Sequence, residues 1–419
     1  MTASADIKAS SNRRFFYGWL MLPVAFIAQI CTGPGQSYGL THFYLSFETG
    51  LSLSNSQITG AYMCGTLLGC VPLGFVGGLI DRRGIRWTMT VVVVLLGIAC
   101  QFASQVSGLF TLFLGFLFLR MLGQASLSLC AANILPMWFR LKLGLATGIK
   151  NQAFPLSLLI VPYFNQYLIL ELGWRRAFVA LGMLVWVIML PILATVFKNR
   201  PEDIGDIQDG ERPCANEAIA ESQEHSFSMN EARKERSYWI LVSLNGVWGM
   251  VATAIIFCAA PLLNSKGFEA DVLNWMFTIY AFSSALSLFV GGILVNRVPL
   301  NFLMCLALGA MTCGSLIMWS AESKTHIMCY AILFGGGQGI LSTVNAVIWV
   351  RYFGRDHLGS ICGRSWRAAV AGSAVGPFVM GAAKDWSGTF QIPLIAFAVL
   401  MGLCALMASL AIEPAKVKT

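Results

Sequence analysis

Long apolar runs separated by short polar or charged segments make up most of the sequence. Crossing the hydrocarbon core of a bilayer takes about 20 mostly apolar residues in one helix. Twelve runs of that kind are present. They predict transmembrane helices at 16–44, 55–79, 87–106, 109–135, 143–169, 175–197, 238–262, 272–295, 300–320, 326–349, 357–382 and 390–412. The pattern therefore predicts an all-α membrane protein.

A polar, charge-rich stretch separates the sixth run from the seventh. The predicted parts are a six-helix bundle over 1–197, a cytoplasmic linker over 198–237 and a second six-helix bundle over 238–419. The second bundle repeats positions of the first at a spacing of about 215 residues, so that Gly123-Gln124 recurs as Gly337-Gln338. A direct repeat of this length among membrane spans is typical of transporters built from two parallel halves.

Composition and charge agree with a membrane protein. Only 11% of the residues are charged, whereas a typical soluble domain has about 25%. The net charge is +8, but 19 of the 28 basic residues fall in segments on the N-terminal side of the membrane, and five fall in the opposite loops. The positive-inside rule then predicts that both termini and the linker are cytoplasmic. The basic excess is a topology signal and does not indicate nucleic-acid binding.

Patterns typical of catalysis or metal binding are missing from the sequence. The twelve cysteines form no C-x-x-C pair, and the four histidines have no ligand spacing. There is no G-x-x-x-x-G-K-[ST] loop that would bind ATP phosphates, and no nucleophile–base arrangement. We expect neither an enzyme nor a cofactor or metal centre.

The loop after the second run carries the motif G-x-x-x-D-R-x-G-x-R, formed by Gly77, Asp81, Arg82, Gly84 and Arg86. It resembles the loop signature of the major facilitator superfamily, and the resemblance extends over essentially the whole chain. The resemblance implies the major facilitator fold, with two pseudo-symmetric six-helix bundles, and a gating role for these five residues. We expect the glycines to allow a close helix approach, and Asp81 with the arginines to form a latch to a neighbouring helix end.

Shorter phrases narrow the resemblance. Residues 35–39 (G-Q-S-Y-G), 173–178 (G-W-R-R-A-F) and 200–205 (R-P-E-D-I-G) are similar to the monocarboxylate transporter and oxalate/formate antiporter branch. That branch implies transport of small organic anions by proton symport or anion exchange. Its members also carry a basic residue in the eighth span that helps to hold the carboxylate. Residues 280–289 of this sequence contain no charge, so that role is not transferred here.

Four basic residues fall within the predicted spans: Arg120, Lys150, Arg364 and Arg367. A charge at the bilayer centre costs at least about 2.5–3.5 kcal/mol, so it usually faces protein or water. Every Asp and Glu falls in a loop, a terminus or a span end, and an anionic substrate would balance the cations. Arg120 and Arg367 lie nearest the midplane, with ties to backbone carbonyls as the alternative role. Lys150 and Arg364 lie closer to the cytoplasm, where snorkelling is the alternative.

Five uncharged polar residues complete the predicted substrate site: Gln36, Gln124, Asn245, Gln338 and Asn345. Gln36 lies in a glycine- and proline-rich break of the first span, and broken helices often mark a transporter's binding site. Gln124 shares a helix face with Arg120, and the tenth span has a corresponding polar stripe. Hydrogen bonding between helices is the alternative role for each of the five.

Together these patterns predict a secondary active transporter of small organic anions, monocarboxylates or dicarboxylates, that works by alternating access. Proton symport and anion exchange both stay open, since His42 is the only candidate relay residue near a span. The expected partners are the anion, the bilayer of a plasma or inner membrane and, in symport, protons, with a monomer as the transport unit. A transporter of neutral or zwitterionic solutes and a non-transporting sensor are the alternatives.

Overall fold

Twelve long helices make up most of the part of the chain that the structure describes, as the apolar runs predict. The structure, a computed structural model, describes residues 16–210, 227–354 and 358–414. The helices are α1 Gly18–Gly35, α2 Asn55–Arg83, α3 Ile85–Ser104, α4 Leu109–Trp138, α5 Leu143–Leu172, α6 Trp174–Thr195, α7 Arg236–Phe257, α8 Ala270–Leu294, α9 Leu300–Trp319, α10 Lys324–Phe353, α11 Leu358–Ser387 and α12 Gln391–Ala408. All except α11 are apolar enough to span a membrane by composition alone. The predicted all-α membrane fold is confirmed.

The first helix is interrupted where the sequence predicts a break. Regular helix ends at Ile30, and a 3-10 turn follows at Gly33–Gly35 before short helical turns continue the segment. Pro34 cannot donate a backbone hydrogen bond, which favours the interruption. Gly35 lies against the backbone of α4 at Gly123, where neither residue has room for a Cβ. On the α4 side, Arg120–Leu127 form a π-helical segment, a wider turn that is frequent at functional sites.

Each half packs through small residues. In the N-terminal half (α1–α6), α2 and α1 pack against α4, and α3 packs against α6. In the C-terminal half (α7–α12), α7 packs against α11, α8 and α9 against α10, and α9 against α12. Glycines that would collide with the facing helix if they carried a Cβ are Gly65, Gly97, Gly182, Gly335, Gly339, Gly372 and Gly376. Such contacts are the usual means by which membrane helices approach closely.

The halves meet through α2 with α11 and α5 with α8. We call the end where α6 ends and α7 begins the linker end, and the opposite end the far end. On α11, Phe378, Gly381 and Asp385 contact the far-end part of α2. Arg367 lies on the same stripe of α11, which recurs at three- and four-residue steps, yet its side chain is exposed.

The residues of α2 also contact α11 at the far end and not near the linker end. At the far end, Thr59 and Gly60 of α2 pack against α11. Closer to the linker end, a Cβ added to Gly74, Gly77 or Gly78 would meet nothing within 4 Å. The two halves are therefore closed against each other at the far end and spread apart at the linker end.

Candidate functional site

Arg120 is held in the interior of the N-terminal half. It begins the π-helical segment of α4, and its side chain is 1% exposed. Its Nε donates to Thr66 Oγ1 at 3.0 Å, and its Nη1 donates to the carbonyl of Gly35 at 3.0 Å and to Ser37 Oγ at 3.4 Å. Its Nη2 is buried and has no hydrogen-bond partner. The guanidinium thus ties α4 to α1 and α2 and keeps one donor nitrogen unused.

An aromatic ring completes the surroundings of this guanidinium. Arg120 Cζ lies 4.7 Å from the centre of the Tyr62 ring, within the range of a cation–π contact. The Tyr62 hydroxyl is hydrogen-bonded to Ser37 Oγ at 2.8 Å. In the part of the chain that the structure describes, no carboxylate pairs with Arg120. Its positive charge is solvated by dipoles and a ring, without a counter-charge.

Arg367 lies at a different depth from Arg120. Gly60 of α2 faces Phe378 of α11, and the two helices are antiparallel. Eleven residues separate Phe378 from Arg367, whereas six separate Gly60 from Thr66. At about 1.5 Å of rise per residue, Arg367 is about 8 Å nearer the linker end than the Thr66 level at which Arg120 is held.

The other three basic residues of the predicted spans are less buried than Arg120. Arg367 is exposed, and Arg364 and Lys150 are half-buried. Among the described residues, none of the three makes a hydrogen bond or an ion pair. All three lie in the part of α5 or α11 nearer the linker end, where the halves have separated. Snorkelling of Arg364 and Lys150 to that surface stays compatible with these positions.

The polar residues of the C-terminal half pair with each other. Trp248 Nε1 donates to Gln338 Oε1 at 2.7 Å, and Asn245 Nδ2 donates to Asn345 Oδ1 at 3.2 Å. These bonds form a polar seam between α7 and α10. In this conformation the amides of Gln338, Asn245 and Asn345 therefore have the alternative role, hydrogen bonding between helices. A ligand role for them stays a prediction.

The two glutamines predicted for the site in the N-terminal half, unlike the seam residues, do not pair with a side chain of another helix among the described residues. Gln36 Nε2 donates to Thr32 Oγ1 at 3.1 Å, within the broken segment of α1. Gln124 is half-buried on the π-helical segment of α4, one turn beyond Arg120, and its side chain makes no hydrogen bond with the described residues. Gln124 thus keeps its amide available for a ligand.

In the loop motif that is predicted to act in gating, Arg86 is bonded to a neighbouring helix, whereas Asp81 and Arg82 are exposed. Arg86 fastens the loop to the end of α6, because its Nε donates to the carbonyl of Leu193 at 2.8 Å and its Nη2 to that of Ala194 at 2.6 Å. Gly84, with φ of +83°, ends α2 in a conformation that favours glycine. Asp81 and Arg82 are exposed and make no hydrogen bond or ion pair with described residues.

Gly77 makes no close helix approach in this conformation, since no atom lies within 4 Å of a Cβ built on it or on its neighbour Gly78. The reason is the divergence of α2 and α11 at the linker end. Arg86 is the motif residue that bonds to another helix in this conformation, and the latch and the gating roles of the motif residues stay predictions.

The far end is closed by polar contacts between the halves. Asp385, in the last turn of α11, accepts hydrogen bonds from the backbone N–H of Ser56 at 2.7 Å and from the backbone and side-chain N–H groups of Asn55 at 3.3 and 3.2 Å. A carboxylate at a helix N-terminus is favoured by the unpaired N–H groups and the helix dipole. The sequence placed Asp385 beyond the span at 357–382, whereas α11 continues to Ser387.

A second group of contacts between the halves involves the segment that follows α1. His42 Nε2 is hydrogen-bonded to Asn274 Oδ1 at 3.1 Å, and Asn274 also bonds to Gln166, which joins this segment to α8 and α5. Thr41 Oγ1 donates to the carbonyl of Ile256 in α7 at 2.8 Å. His42, the relay candidate named from the sequence, is thus part of the contact between the halves.

Several residues of this site carry no signal in the sequence. Tyr62 and Thr66 lie in an apolar run, where an aromatic or hydroxyl residue usually only packs. Their spacing of four residues does place them on one face of α2. Asp385 could have been noticed as an acid next to a span, but its partner at Ser56 is 329 positions away in the sequence.

Comparisons with known proteins agree with this architecture. The family model described as Major Facilitator Superfamily matches residues 15–269 and 244–419. Monocarboxylate transporter 2 of Mesocricetus auratus is 23% identical over 401 residues, which cover 91% of this chain and 81% of that protein. Monocarboxylate transporter 2 of Homo sapiens is 22% identical over 394 residues, covering 90% and 81%.

Solved structures show the same fold. A bacterial homologue of the human lysosomal transporter Spinster, inward-facing and unoccupied, superposes with a TM-score of 0.70 at 15% identity and covers 94% of this chain and 97% of its own. The occupied form gives 0.67 at 14% identity, with 95% and 97% covered. The family match extends over both halves, and so the resemblance carried by the loop motif is confirmed. The chain belongs to the major facilitator superfamily and is a multi-pass membrane transporter, not an enzyme.

Proposed function

We propose that this transporter carries small organic anions, monocarboxylates or dicarboxylates, by alternating access. The observation that carries the proposal is the uncompensated positive charge of Arg120, whose buried Nη2 has no partner. A buried donor without a partner is costly, and a carboxylate oxygen is the acceptor that a guanidinium binds most strongly. Arg367, exposed on the α2-facing stripe of α11, would attract the anion where the halves are apart.

The relatives support the same substrate class, since those compared above bear the name monocarboxylate transporter 2. The basic residues of the loops support a cytoplasmic linker end through the positive-inside rule. The described conformation would then be open to the cytoplasm. We keep the division into bundles over 1–197 and 238–419, a monomeric transport unit and a plasma or inner membrane as parts of this proposal.

The proton in such a transporter would travel with the substrate, or one anion would exchange for another. Proton relays are usually built from Asp, Glu or His inside the membrane. Asp385 and His42 both belong to contacts between the halves at the far end. Neither lies beside Arg120, so neither is suited to protonate an anion bound there.

Uptake by the purified protein in proteoliposomes tests the substrate class. Lactate, formate and oxalate would be compared with glucose and a zwitterionic amino acid, with and without an inward proton gradient. We expect carboxylate uptake that Arg120→Gln and Arg367→Gln abolish or strongly reduce. Arg175→Gln is the matched control, because the Arg175 guanidinium also donates to backbone carbonyls, those of Ser104 and Val106, outside this site.

Two outcomes would contradict the proposal. One is uptake of the neutral or zwitterionic solute that carboxylates do not inhibit, which would favour the alternative substrate class. The other is unchanged carboxylate uptake in both arginine variants, which would make the arginines structural ties. Coupling is tested with a sulfonate analogue that still binds. Proton-driven accumulation of the sulfonate that His42→Gln eliminates would make His42 the relay.

A further inference from the structure

Tyr62 touches Arg120 and the opposite half of the molecule at the same time. It lies on α2 and is fully buried. Its ring is 4.7 Å from Arg120 Cζ on one hand, and its centre is 4.1 Å from that of Phe257 on the other, with 33° between the planes. Phe257 is the last residue of α7 and so belongs to the C-terminal half. A single side chain therefore connects the proposed anion ligand to the contact between the halves.

Phe257 is enclosed by aromatic rings of the N-terminal half. Besides Tyr62, it contacts Tyr44 with ring centres 5.4 Å apart and Phe116 with centres 6.2 Å apart. Its side chain is fully buried there. If the halves separate at the far end, Phe257 must leave this aromatic cage. Tyr62 would then lose one of the two groups that hold its ring.

The hydroxyl of Tyr62 adds a second connection to the guanidinium. It is hydrogen-bonded to Ser37 Oγ at 2.8 Å, and Ser37 Oγ in turn accepts from Arg120 Nη1 at 3.4 Å. The ring and the hydroxyl thus both restrict where the guanidinium can lie. A shift of Tyr62 would change the direction in which the unused Nη2 points.

We propose that Tyr62 is a positioning residue that couples anion binding at Arg120 to closure of the far end. With Phe257 in its cage, Tyr62 holds the guanidinium in the geometry that binds a carboxylate. With Phe257 withdrawn, that geometry is lost and the anion is bound less tightly. Because coupling between two equilibria is reciprocal, a bound carboxylate must also favour the closed far end. The identity of the anion in this inference rests on the proposed function. The link between Tyr62 and the far end does not depend on it.

Thiol labelling measures far-end closure without any transport. Thr59 is fully buried, and it packs against Gly381 of the other half, so Thr59→Cys introduces a thiol that is shielded while the far end is closed. The full-length protein in liposomes would be treated with a charged maleimide, and labelling would be quantified on the peptide that contains position 59. Fragmentation of that peptide in the mass spectrometer assigns the label to position 59 and separates it from the native Cys64, which is exposed and lies five residues further along the same peptide.

In the absence of solute, Tyr62→Leu and Phe257→Leu should each raise this labelling about two- to tenfold, the range that the loss of one aromatic pair corresponds to. Tyr62→Phe keeps the ring and should stay close to the parent. Phe178→Leu is the matched control, because Phe178 is a buried ring that stacks on Phe43 within its own half. Labelling that is unchanged in both Leu variants, or raised equally by Phe178→Leu, would overturn the proposal, whatever the protein transports.

The second arm adds lactate as the probe anion. Lactate should lower labelling fully in the parent and in Phe178→Leu, and less in Tyr62→Phe, which lacks the hydroxyl bond to Ser37. The response should be lost in Tyr62→Leu. In uptake measurements, Tyr62→Leu should raise KM more than it lowers the maximal rate, whereas Phe257→Leu should change both. A normal lactate response in Tyr62→Leu would contradict the coupling. If lactate has no effect on the parent while the first arm succeeds, the anion assignment fails and the link between Tyr62 and the far end stands.

Discussion

Two arginines of the N-terminal half show how the same side chain can have different roles. Arg175 donates to two backbone carbonyls, those of Ser104 and Val106, and is exposed at the far end. Arg120 also donates to a carbonyl, but it lies fully inside the half and leaves Nη2 without a partner. A structural tie explains the first arrangement completely. A structural tie does not explain why the buried Nη2 of Arg120 has no partner, whereas an anionic ligand would supply one.

Replacing Arg120 with lysine should separate charge from geometry. One ammonium cannot reach Thr66 and the Gly35 carbonyl while also offering a free donor to the anion. We expect Arg120→Lys to lower the ratio of maximal rate to KM for lactate by about 10- to 100-fold, as for the loss of a hydrogen bond to a charged group. Initial rates in proteoliposomes measure this, and full activity in the lysine variant would contradict a two-pronged contact.

Arg367 should act at longer range because it is exposed and has no described partner. Its attraction for an anion is screened by salt over about 10 Å at 0.1 M ionic strength. Arg367→Gln should therefore raise KM from the linker end and flatten the dependence of KM on ionic strength. Arg83→Gln is the control, since Arg83 is an exposed arginine that stacks on Trp87 at 4.5 Å. A salt dependence equal to that of the parent would argue against Arg367 as the entry cation.

At the scale of the helices, the contact between the α1 break and the π-helical part of α4 fixes the site. The two backbones meet at Gly35 and Gly123, and this contact brings the Gly35 carbonyl within 3.0 Å of Arg120 Nη1. A Cβ on Gly123 would lie 2.9 Å from Gly35 Cα, a backbone atom that cannot rotate away. Helix geometry and ligand geometry therefore depend on the same two glycines.

Gly123→Ala should separate α1 from α4 and destabilise the protein. Overpacking of this kind costs about 1–3 kcal/mol, so the thermal unfolding midpoint in detergent should fall. Lactate uptake should fall as well, since the Gly35 carbonyl would move away from Arg120. Gly148→Ala is the matched control, because nothing lies within 4 Å of its Cβ and alanine favours helix there. Equal midpoints for the two variants would contradict the role of this contact.

The sequence predicts the helices well and their partners poorly. The apolar runs predict all twelve helices, including α11, which does not qualify as a span by composition, and Gly33–Gly35 appear as the break that Pro34 predicts. Helical spacing shows that Gln338 and Asn345 share a face, but not that Trp248 and Asn245 of another helix satisfy them. The helical period of the sequence shows only which residues share one face of a helix. What lies opposite that face depends on tertiary packing and on which end of the molecule is open.

At the scale of the whole molecule, the carboxylate of Asp385 connects the two halves at the far end. Asp385 reaches from the C-terminal half to the first N–H groups of α2, and the halves spread apart at the opposite end. The relative stability of the two facing states therefore depends on this contact and on the aromatic cage around Phe257. Breaking either should favour closure of the linker end.

Asp385→Asn keeps the size of the side chain and removes its charge. Charges at helix termini contribute about 0.3–1 kcal/mol, or up to about 2 kcal/mol when partly buried, so the open far end should gain about two- to thirtyfold in population. Spin labels at Gly77→Cys and Gly363→Cys would report the linker-end distance, since open space surrounds both glycines. We expect the short-distance population to grow in Asp385→Asn. An unchanged distribution would mean that the carboxylate does not set the balance.

The polarity of α11 has a consequence for how the protein is made. This helix carries Arg364, Arg367, Lys384 and Asp385, and it is the one long helix of the described chain that does not qualify as a span by composition. Charged residues near a helix centre oppose insertion by the translocon. During synthesis α11 would therefore need a partner already in the membrane, and α7 offers one through the close glycine contacts of Gly372 and Gly376. The residues that suit α11 to an anion make its integration depend on helices translated before it.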